Sequence, residues 1–305
     1  MRHSASTFKL IFLTAFTVAL NTALLTGQNA LVLQSDFGLS DNAVASMKGV
    51  AFGVSPDSKI FDSTHDITPF NIWEAAYRLE QTAEFWPAGT VFVSVVDPGV
   101  GTDRKSVVLK TKSGHYFVTP DNGTLTLVSK SLGIEVVREI DEAVNRRAES
   151  EKSYTFHGRD VYAYTGARLA AGIISFEEVG QKLENKVVTI PHPDPEFSGD
   201  SIRGYIPILD VRYGNIWTNI ERDLFSKLNV DFGDKLRVKI LHNDKVIYRD
   251  VVPYERSFGE VSVGEALLYF NSLDNLSIAL NQGDFASEYG INPGPDWVIE
   301  ISGPE

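Results

Sequence analysis

Hydrophobic positions between residues 31 and 96 alternate between short, β-branched runs and longer segments that mix apolar and polar residues. The short runs have the length of buried strands, and the longer segments have the length of helices. Strands are predicted at Leu31–Ser35, Lys59–Phe61 and Thr90–Val96, and helices at Asp41–Gly53 and Ile72–Phe85. Asp41 is suited to cap the first helix, and Gly53 with Pro56 is suited to end it. The order strand, helix, strand, helix, strand predicts right-handed βαβ units and a parallel sheet.

Two further kinds of element complete this first region. A hairpin is predicted at Val107–Lys110 and His115–Val118, and helices at Gly123–Leu132 and Asp160–Ala171. Near residue 190 the pattern changes. Pro191, Pro193 and Pro195 stiffen a stretch that ends at Gly199, as is typical of an interdomain linker.

Beyond the linker the apolar runs are short and are separated by turns rich in Gly, Asp and Asn. Strands are predicted at Ser201–Val211, Ile216–Ile220, Lys235–Leu241, Val246–Val252, Ala266–Phe270 and Trp297–Ile301. The chain is therefore predicted to form an α/β N-terminal domain with a mostly parallel sheet and a smaller all-β, barrel- or sandwich-like C-terminal domain. The predicted boundaries are residues 30–190, a linker over 191–199, and residues 200–305.

The N-terminus has the three-part layout of a secretory signal peptide. Arg2, His3 and Lys9 precede a mostly apolar run over Leu10–Leu25, and small residues follow at positions 26 and 27. The run is shorter and more polar than the ~20 apolar residues of a membrane span, although an uncleaved anchor is an alternative. We therefore expect residues 1–29 to be a signal peptide, the protein to be exported (periplasmic or secreted), and no stable membrane association after cleavage.

Composition narrows the classes of partner and chemistry. The chain has 305 residues, of which 43% are hydrophobic and 22% charged, as in globular proteins. Its net charge of −12 argues against a nucleic-acid partner or an anionic membrane surface, since both need a basic surface. The absence of cysteine excludes disulfides, thiolate catalysis and cysteine-ligated zinc.

Two acids come directly after predicted strands, where ligands of open α/β sheets bind. Asp36 follows Leu31–Ser35, and a carboxylate there can accept from both hydroxyls of a ribose. It can equally cap its own loop. Asp97 follows Thr90–Val96 and opens a Pro-Gly turn in which Arg104 can fold back onto it. On the pattern alone, a surface turn with an incidental ion pair is the favoured interpretation of this second loop.

Two other segments carry candidate chemistry. His157 precedes Gly158 just before a predicted helix, which is a suitable place for a titratable group in a cleft, although a lone histidine is more often structural. The loop from Asp210 to Trp217 joins two strands and offers the Asn215 amide and aromatic faces, which suit a purine. A plain hairpin loop explains it as well.

Taken in order, these segments resemble one family. The matching motifs are Ser35-Asp36-Phe37-Gly38, Thr68-Pro69, Val96 to Thr102 with Arg104, Pro120-Asp121-Asn122-Gly123, Thr155 to Asp160, Asp210 with Gly214-Asn215, and Asn271-Ser272. They are similar to the S-adenosyl-L-methionine hydrolase (adenosine-forming) family, formerly DUF62, which is related to the fluorinases and chlorinases. The resemblance runs from about Leu31 to the C-terminus. It implies attack of water on C5′ of S-adenosylmethionine, giving adenosine and L-methionine.

The resemblance implies two groups of site residues. Asp97, Arg104 and His157 match the set that handles the attacking water. Asp36 matches the ribose ligand, Asp41 an acid near the methionine ammonium, and Phe70 an aromatic beside the sugar and sulfonium. Asp210 matches a methionine-side contact, Asn215 and Phe258 contacts near adenine, and Ser272 a residue near the methionine carboxylate. The family assembles as homotrimers with each site between the N-terminal domain of one subunit and the C-terminal domain of the next.

Two residues separate hydrolysis from halogenation. Halogenating relatives carry Tyr at the position of Asp97, and Ser or another halide-pocket residue at that of Gly158. They can also carry a long insertion after the Arg104 region, which is short here. A carboxylate at residue 97 repels a halide and suits a water. Methionine leaves the sulfonium as a neutral thioether, so the reaction needs no metal, phosphate or redox cofactor, and none is predicted.

Some features leave alternatives open. Asp274 and Ser277 depart from the family pattern after Asn271-Ser272, which weakens the match at the methionine carboxylate. Export is at odds with a substrate made in the cytosol, and this favours an exported, non-catalytic protein that binds S-adenosylmethionine or adenosine as one alternative. A halogenase is a second. A metal-dependent hydrolase using Asp36, Asp97, His157 and Asp160 is a third, although no metal-binding spacing supports it.

Overall fold

The computed structural model describes residues 29–303, and the signal peptide predicted over residues 1–29 lies outside them except for Asn29. The first part of the chain forms a six-stranded sheet in the order β2-β1-β3-β5-β4-β6. Its strands are β1 (Leu31–Ser35), β2 (Ile60–Thr64), β3 (Val91–Val95), β4 (Ser106–Thr111), β5 (Tyr116–Pro120) and β6 (Ile134–Glu139). The pairs β1–β2, β1–β3 and β3–β5 are parallel, while β4 pairs antiparallel with β5 and β6. The predicted parallel sheet and hairpin are confirmed.

Helices cover both faces of this sheet. They are α1 (Ala43–Val54), α2 (Ile72–Ala83), α3 (Thr126–Ser131), α4 (Glu142–Asn145) and α5 (Tyr164–Ala170). Leu31 and Leu33 of β1 pack with α1 and α5, whereas Val32 packs with α2 and α3 on the other face. Coverage of both faces explains why the strands read as continuous apolar runs rather than alternating ones.

Four helix predictions need correction at their ends, and the one over Gly123–Leu132 is shortened to α3 over Thr126–Ser131. Helix α1 begins at Ala43 with Asn42, not Asp41, at its N-cap, and the Asp41 carboxylate accepts instead from the Ala43 N–H at 2.8 Å. Helix α2 ends at Ala83, before Phe85. The helix predicted from Asp160 starts earlier, as a π-helical turn over Gly158–Ala163 that continues into α5.

The rest of the described chain forms two antiparallel sheets, in the orders β13-β14-β10-β9 and β12-β11-β15-β8-β7. Their strands are β7 (Glu196–Ser198), β8 (Ser201–Ile206), β9 (Ile208–Asp210), β10 (Asn215–Glu221), β11 (Lys235–His242), β12 (Lys245–Pro253), β13 (Ala266–Phe270), β14 (Asn275–Leu280) and β15 (Gly294–Ser302), with short helices α6 (Arg222–Phe225) and α7 (Phe285–Tyr289). One buried cluster includes Ile216 and Ile278 of the first sheet and Val238 and Ile299 of the second, so the sheets share a core.

Two departures from the predicted strands have local causes. The strand predicted over Ser201–Val211 is split at Pro207, which has no N–H to donate to a ladder. The end of the predicted linker forms β7, because Gly199 and Asp200 make a two-residue hairpin turn that pairs Ser198 with Ser201. Within residues 29–303, no helix is long and apolar enough to cross a membrane.

Candidate active site

Asp97 and Arg104 form an ion pair with two points of contact at the carboxyl end of β3. Arg104 Nε donates to Asp97 Oδ1 at 2.9 Å, and Arg104 Nη2 donates to Oδ2 at 2.6 Å. The two side chains are 6% and 11% exposed, so solvent screens this contact little. A two-point guanidinium–carboxylate contact fixes both the position and the orientation of the carboxylate. The turn after β3 thus presents Asp97 as an oriented anion.

His157 lies between two guanidinium groups. Arg104 Nη2 is 3.0 Å from its Nδ1, and Arg146 Nη2 is 2.9 Å from its Nε2. Burial lowers the pKa of His157 below its ordinary value, and the charges of Arg104 and Arg146 lower it further, while Glu142 and Asp97 oppose the shift. The ring is therefore neutral near pH 7. A neutral imidazole has one lone pair, and in either tautomer that lone pair faces a guanidinium.

A chain of hydrogen bonds links Arg146 to Arg104 through Glu142 and Ser106. Glu142 Oε2 accepts from Arg146 Nη2 at 3.1 Å, Ser106 Oγ lies 3.4 Å from Glu142 Oε1, and Arg104 Nη1 donates to Ser106 Oγ at 3.1 Å. The Tyr162 hydroxyl is 3.1 Å from Ser106 Oγ. Sequence reasoning missed Ser106, Glu142, Arg146 and Tyr162. The only signal for the Glu142–Arg146 pair was its (i, i+4) spacing, which is common on helices.

Asp36 and Phe70 are joined by a hydrogen bond across the sheet edge. The Asp36 Oδ2 atom accepts from the Phe70 N–H at 2.9 Å. Phe70 has φ of 69° and is 71% exposed, an unusual conformation for a bulky residue that is often found at ligand sites. The neighbouring Ser35 Oγ contacts His65 Nδ1 at 2.7 Å. Asp36 thus holds a strained, exposed aromatic in place beside its own carboxylate.

Gly158 packs too closely against its neighbours to carry a side chain without rearrangement. A Cβ at this residue would lie 3.1 Å from Val95 Cγ1 and 3.2 Å from two carbons of the Phe37 ring. Phe37 follows Asp36 directly, and its ring meets that of Phe156 edge-on at 5.8 Å. The absence of a side chain at residue 158 therefore sets the position of the loop that carries Asp36.

The predicted C-terminal site residues form a second set. Asp210 of β9 pairs with Asn215 of β10, and Asn215 Nδ2 is 3.3 Å from Asp210 Oδ2. Phe258 packs on Tyr269 with ring centroids 4.8 Å apart. Burial raises the pKa of Tyr269 to about 12, and the Asp210 charge adds to this, while hydrogen bonds from Trp217, Ser277 and Asn215 oppose it. Tyr269 is a member of this set that the sequence did not indicate. Ser272 lies exposed in the turn between β13 and β14.

The two sets do not meet within one chain. Among residues 29–303, no hydrogen bond or ion pair connects Asp36, Phe70, Asp97, Arg104 or His157 with Asp210, Asn215, Phe258 or Ser272. The two parts of the chain are joined instead along α2, where Trp73 Nε1 donates to Pro207 O at 2.9 Å and Arg78 Nη2 to Leu209 O at 3.2 Å. A cavity of about 560 Å³ at that junction is lined by neither set.

Asp160, one of the residues in the metal-dependent alternative, is already paired with two arginines. Asp160 is fully buried; burial raises its pKa, but hydrogen bonds from Arg159 and Arg147 outweigh this and hold the pKa below its usual value. In the part of the chain that the structure describes, no group of three or more His, Asp or Glu side chains could hold a metal ion.

Comparison with known protein families shows which family the chain belongs to. The N-terminal domain model of the SAM hydroxide adenosyltransferases matches residues 31–180, and the C-terminal domain model of the same family matches residues 204–298. The chain belongs to the SAM hydroxide adenosyltransferase family. The resemblance stated from the sequence motifs is thereby confirmed, and so is the relation to the fluorinases.

Members of this family named as hydrolase and as halogenase are both similar to the chain. A protein of Methanocaldococcus jannaschii named (R)-S-adenosyl-L-methionine hydrolase is 37% identical over 71% of this chain and 75% of its own length. A fluorinase of Nocardia brasiliensis is 31% identical over 89% of this chain and 96% of its own length. Overall identity therefore does not separate the two reactions, and the site residues have to do so.

A solved structure carries the same fold. A protein of Thermotoga maritima, described as an uncharacterized conserved protein, superposes with a TM-score of 0.83 at 37% identity, over 89% of this chain and 99% of that chain. A mixed α/β fold with a mostly parallel sheet and antiparallel sheets is thus established.

The comparisons overturn the predicted export. The match to the N-terminal family model begins only at residue 31, beyond the predicted signal peptide, and the relatives found give no support for export. The prediction that the protein is exported is therefore wrong, and with it the reason for a non-catalytic binding protein outside the cell is lost.

Proposed function

We propose that this chain hydrolyses S-adenosyl-L-methionine to adenosine and L-methionine. The observation that carries the proposal is the Asp97 carboxylate, which Arg104 holds at the carboxyl end of β3 in a SAM hydroxide adenosyltransferase. Relatives that are 31–37% identical and named (R)-S-adenosyl-L-methionine hydrolase support it. That name specifies the R configuration at sulfur, so the experiment also has to determine which sulfonium epimer this chain prefers.

The reaction requires a positioned water and a proton acceptor, and little else. The water oxygen forms a bond to C5′ while the C5′–S bond breaks, and sulfur keeps the bonding electron pair as a neutral thioether. Methionine therefore leaves without a general acid. The water loses one proton during or after attack, and the demand on the protein is to align the water, exclude other solvent and accept that proton.

Asp97 is the proton acceptor in this proposal. Arg104 takes one side of the carboxylate, and a carboxylate has further lone pairs with which to bind water. His157 does not serve as the base, because its single lone pair faces a guanidinium. Its role is to hold Arg104 at Nη2, the same nitrogen that donates to Asp97. Asp97 also provides a negative charge near the cationic sulfonium.

The remaining roles concern substrate binding. We assign the ribose hydroxyls to Asp36, the sugar and sulfonium to Phe70, and the methionine ammonium to Asp41. Asp210 and Ser272 bind the methionine side, and Asn215 with Phe258 binds adenine. The exposed ring of Phe70 and its left-handed backbone support its assignment, since exposure of a strained aromatic is costly without a ligand. The hydrogen bond between Asn215 and Tyr269 supports a polar adenine pocket.

Each site is completed by a second copy of the chain in this proposal, within a homotrimer. The N-terminal and C-terminal sets lie apart in one chain, and large apolar side chains stand exposed beside both. Leu39 and Tyr154 flank the first set, and Val211 and Tyr213 flank the second. Exposed apolar groups around a polar site are typical of a surface that a partner covers. The domain division at residues 191–199 belongs to the same proposal, with the β part acting as a separate sandwich-like domain.

Halogenation is the second candidate, because fluorinases are among the relatives. Asp97 opposes it by charge, since a halide would have to be desolvated beside a carboxylate. Gly158 opposes it by packing, since a Ser side chain there would contact Phe37 and Val95. Water is therefore the favoured nucleophile.

The test is a product analysis of the full-length protein with the R and S sulfonium epimers separately. Chromatography should show adenosine and methionine from at least one epimer, and adenosine formed in ¹⁸O-water should carry the label at its 5′-oxygen. Parallel reactions with fluoride or chloride should give no 5′-halo product. Asp97→Asn is the matched control for contaminating activity. Binding without adenosine release, a halogenated product, or adenosine without ¹⁸O would each contradict the proposal.

A further inference from the structure

Arg146 and the partly exposed Glu142 are polar neighbours of His157 to which the proposed reaction gives no direct role. The Arg146 side chain is only 7% exposed. Its Nε and Nη2 atoms donate to Glu142 Oε2 at 3.3 and 3.1 Å, and Nη1 donates to Ser153 O at 3.3 Å. Arg146 also meets His157 Nε2, and its guanidinium carbon lies over the Tyr154 ring, 5.9 Å from the ring centroid. Burying a guanidinium is costly, so this set of partners indicates a defined task.

The position of Arg146 is matched to that of Arg104 across the imidazole ring. Arg104 Nη2 meets Nδ1 at 3.0 Å and Arg146 Nη2 meets Nε2 at 2.9 Å, so a positive group faces each nitrogen. An imidazolium here would place three cations in a row beside a cationic substrate. Asp97 and Glu142 are the anions that face this row.

We propose that Arg146, anchored by Glu142, is a positioning residue that keeps His157 uncharged and in place, so that Arg104 stays directed at Asp97. This inference rests on the proposed hydrolysis. It divides the network into two pairs with different roles. Asp97 and Arg104 face the water, while Glu142 and Arg146 set the protonation state of His157. Neither Glu142 nor Arg146 contacts the reacting atoms.

The charges of the two residues predict opposite effects on the His157 titration. His157 is neutral above its lowered pKa and becomes charged as the pH falls through it. Arg146→Ala removes a like charge, so the pKa of His157 should rise. Glu142→Gln removes an opposite charge while keeping an acceptor for Arg146, so the pKa should fall. A network that only held the fold together would not give opposite signs.

The experiment follows the His157 ring by NMR over a pH series in the full-length parent and variants. Its signal is identified by its loss in His157→Gln. The acid limb of kcat should follow the same order, with Arg146→Ala losing activity at a higher pH than the parent and Glu142→Gln at a lower pH. Near pH 7, Arg146→Ala should lower kcat by up to about 100-fold through misplacement of Arg104, with KM within a few-fold.

Two further variants keep the test decisive. Arg147→Ala is the matched control, since it removes the adjacent guanidinium but leaves Asp160 paired with Arg159, and it should not move the His157 titration. Arg146→Lys keeps the charge and should keep the low pKa, even if Arg146→Ala folds poorly. An unchanged pKa in Arg146→Ala, or shifts of the same sign in both charge variants, would overturn the proposal. Failure of the parent to release adenosine would instead refute the hydrolysis and leave the titration result intact.

Discussion

At the residue scale, the position of Arg104 determines what Asp97 can do. One guanidinium contacts Asp97, His157 and Ser106 at once, so the carboxylate cannot rotate without breaking a buried contact. Such preorganisation means that little rearrangement is needed when water attacks. His157 supports the arrangement from behind rather than taking part in proton transfer.

This division of labour gives a direct prediction for Asp97→Asn. The amide oxygen still accepts from Arg104, but the side chain can no longer take a proton. We expect kcat to fall by ~10²–10⁴-fold, the usual cost of losing a general base, with KM within a few-fold. Steady-state kinetics of adenosine release measure this. Asp103→Asn is the control, because Asp103 is an exposed acid in the same loop. A loss confined to KM would mean that Asp97 binds substrate and does not accept the proton.

Sequence patterns indicated some of these residues and not others, for physical reasons. Asp97 and Arg104 lie within one turn, and the resemblance connected His157 to them. Glu142 and Arg146 come from α4 and the residue after it, and only the tertiary fold brings them to His157. Tyr269 has the same origin, since it reaches the Asp210–Asn215 pair through sheet pairing with β14. Contacts made by distant segments leave no local pattern.

At the scale of elements, the close packing of α5 against β3 fixes the position of His157. Gly166 faces β3, and a Cβ there would lie 2.4 Å from Val93 Cγ2. The preceding π-helical turn over Gly158–Ala163 follows His157 directly and packs against β3 as well. Hydrophobic periodicity predicted a helix here, but not its π-helical start, which lies at a functional position as π turns often do.

Strands β6 and β14 were also missed, since both mix polar residues into short apolar runs.

Gly166→Ala should therefore destabilise the protein. The added methyl has no space between α5 and β3, and overpacking of this kind typically costs ~1–3 kcal/mol. Gly49→Ala on α1 is the matched control, since nothing lies within 4 Å of its Cβ position. Replacing an unconstrained helical Gly should add roughly 0.5–1 kcal/mol of stability. Denaturant unfolding of both variants measures the difference, and equal effects would show that α5 is not held against β3 by this contact.

At the scale of the whole molecule, the chain carries two halves of a site on different surfaces. Trp73 and Arg78 fix the β part along α2, which places Asp210 and Asn215 away from the Asp97 turn. The α/β architecture, the parallel sheet and most strands of the β part followed from the sequence. The separation of the two halves did not, because no local pattern records which surface of one domain faces the other.

If each site combines two chains, defective subunits should complement one another. Asp97→Asn damages only the N-terminal half of a site and Asn215→Ala only the C-terminal half. Trimers reassembled from a mixture of both variants contain some intact sites. Such a site takes its N-terminal half from an Asn215→Ala subunit and its C-terminal half from an Asp97→Asn subunit. Equal, random mixing should restore about one quarter of parental activity. Mixing Asp97→Asn with His157→Ala is the control, since both changes lie in the same half and no intact site can form. Activity in the first mixture no higher than in its separate components, with exchange of subunits verified by mass spectrometry, would place the whole site within one chain.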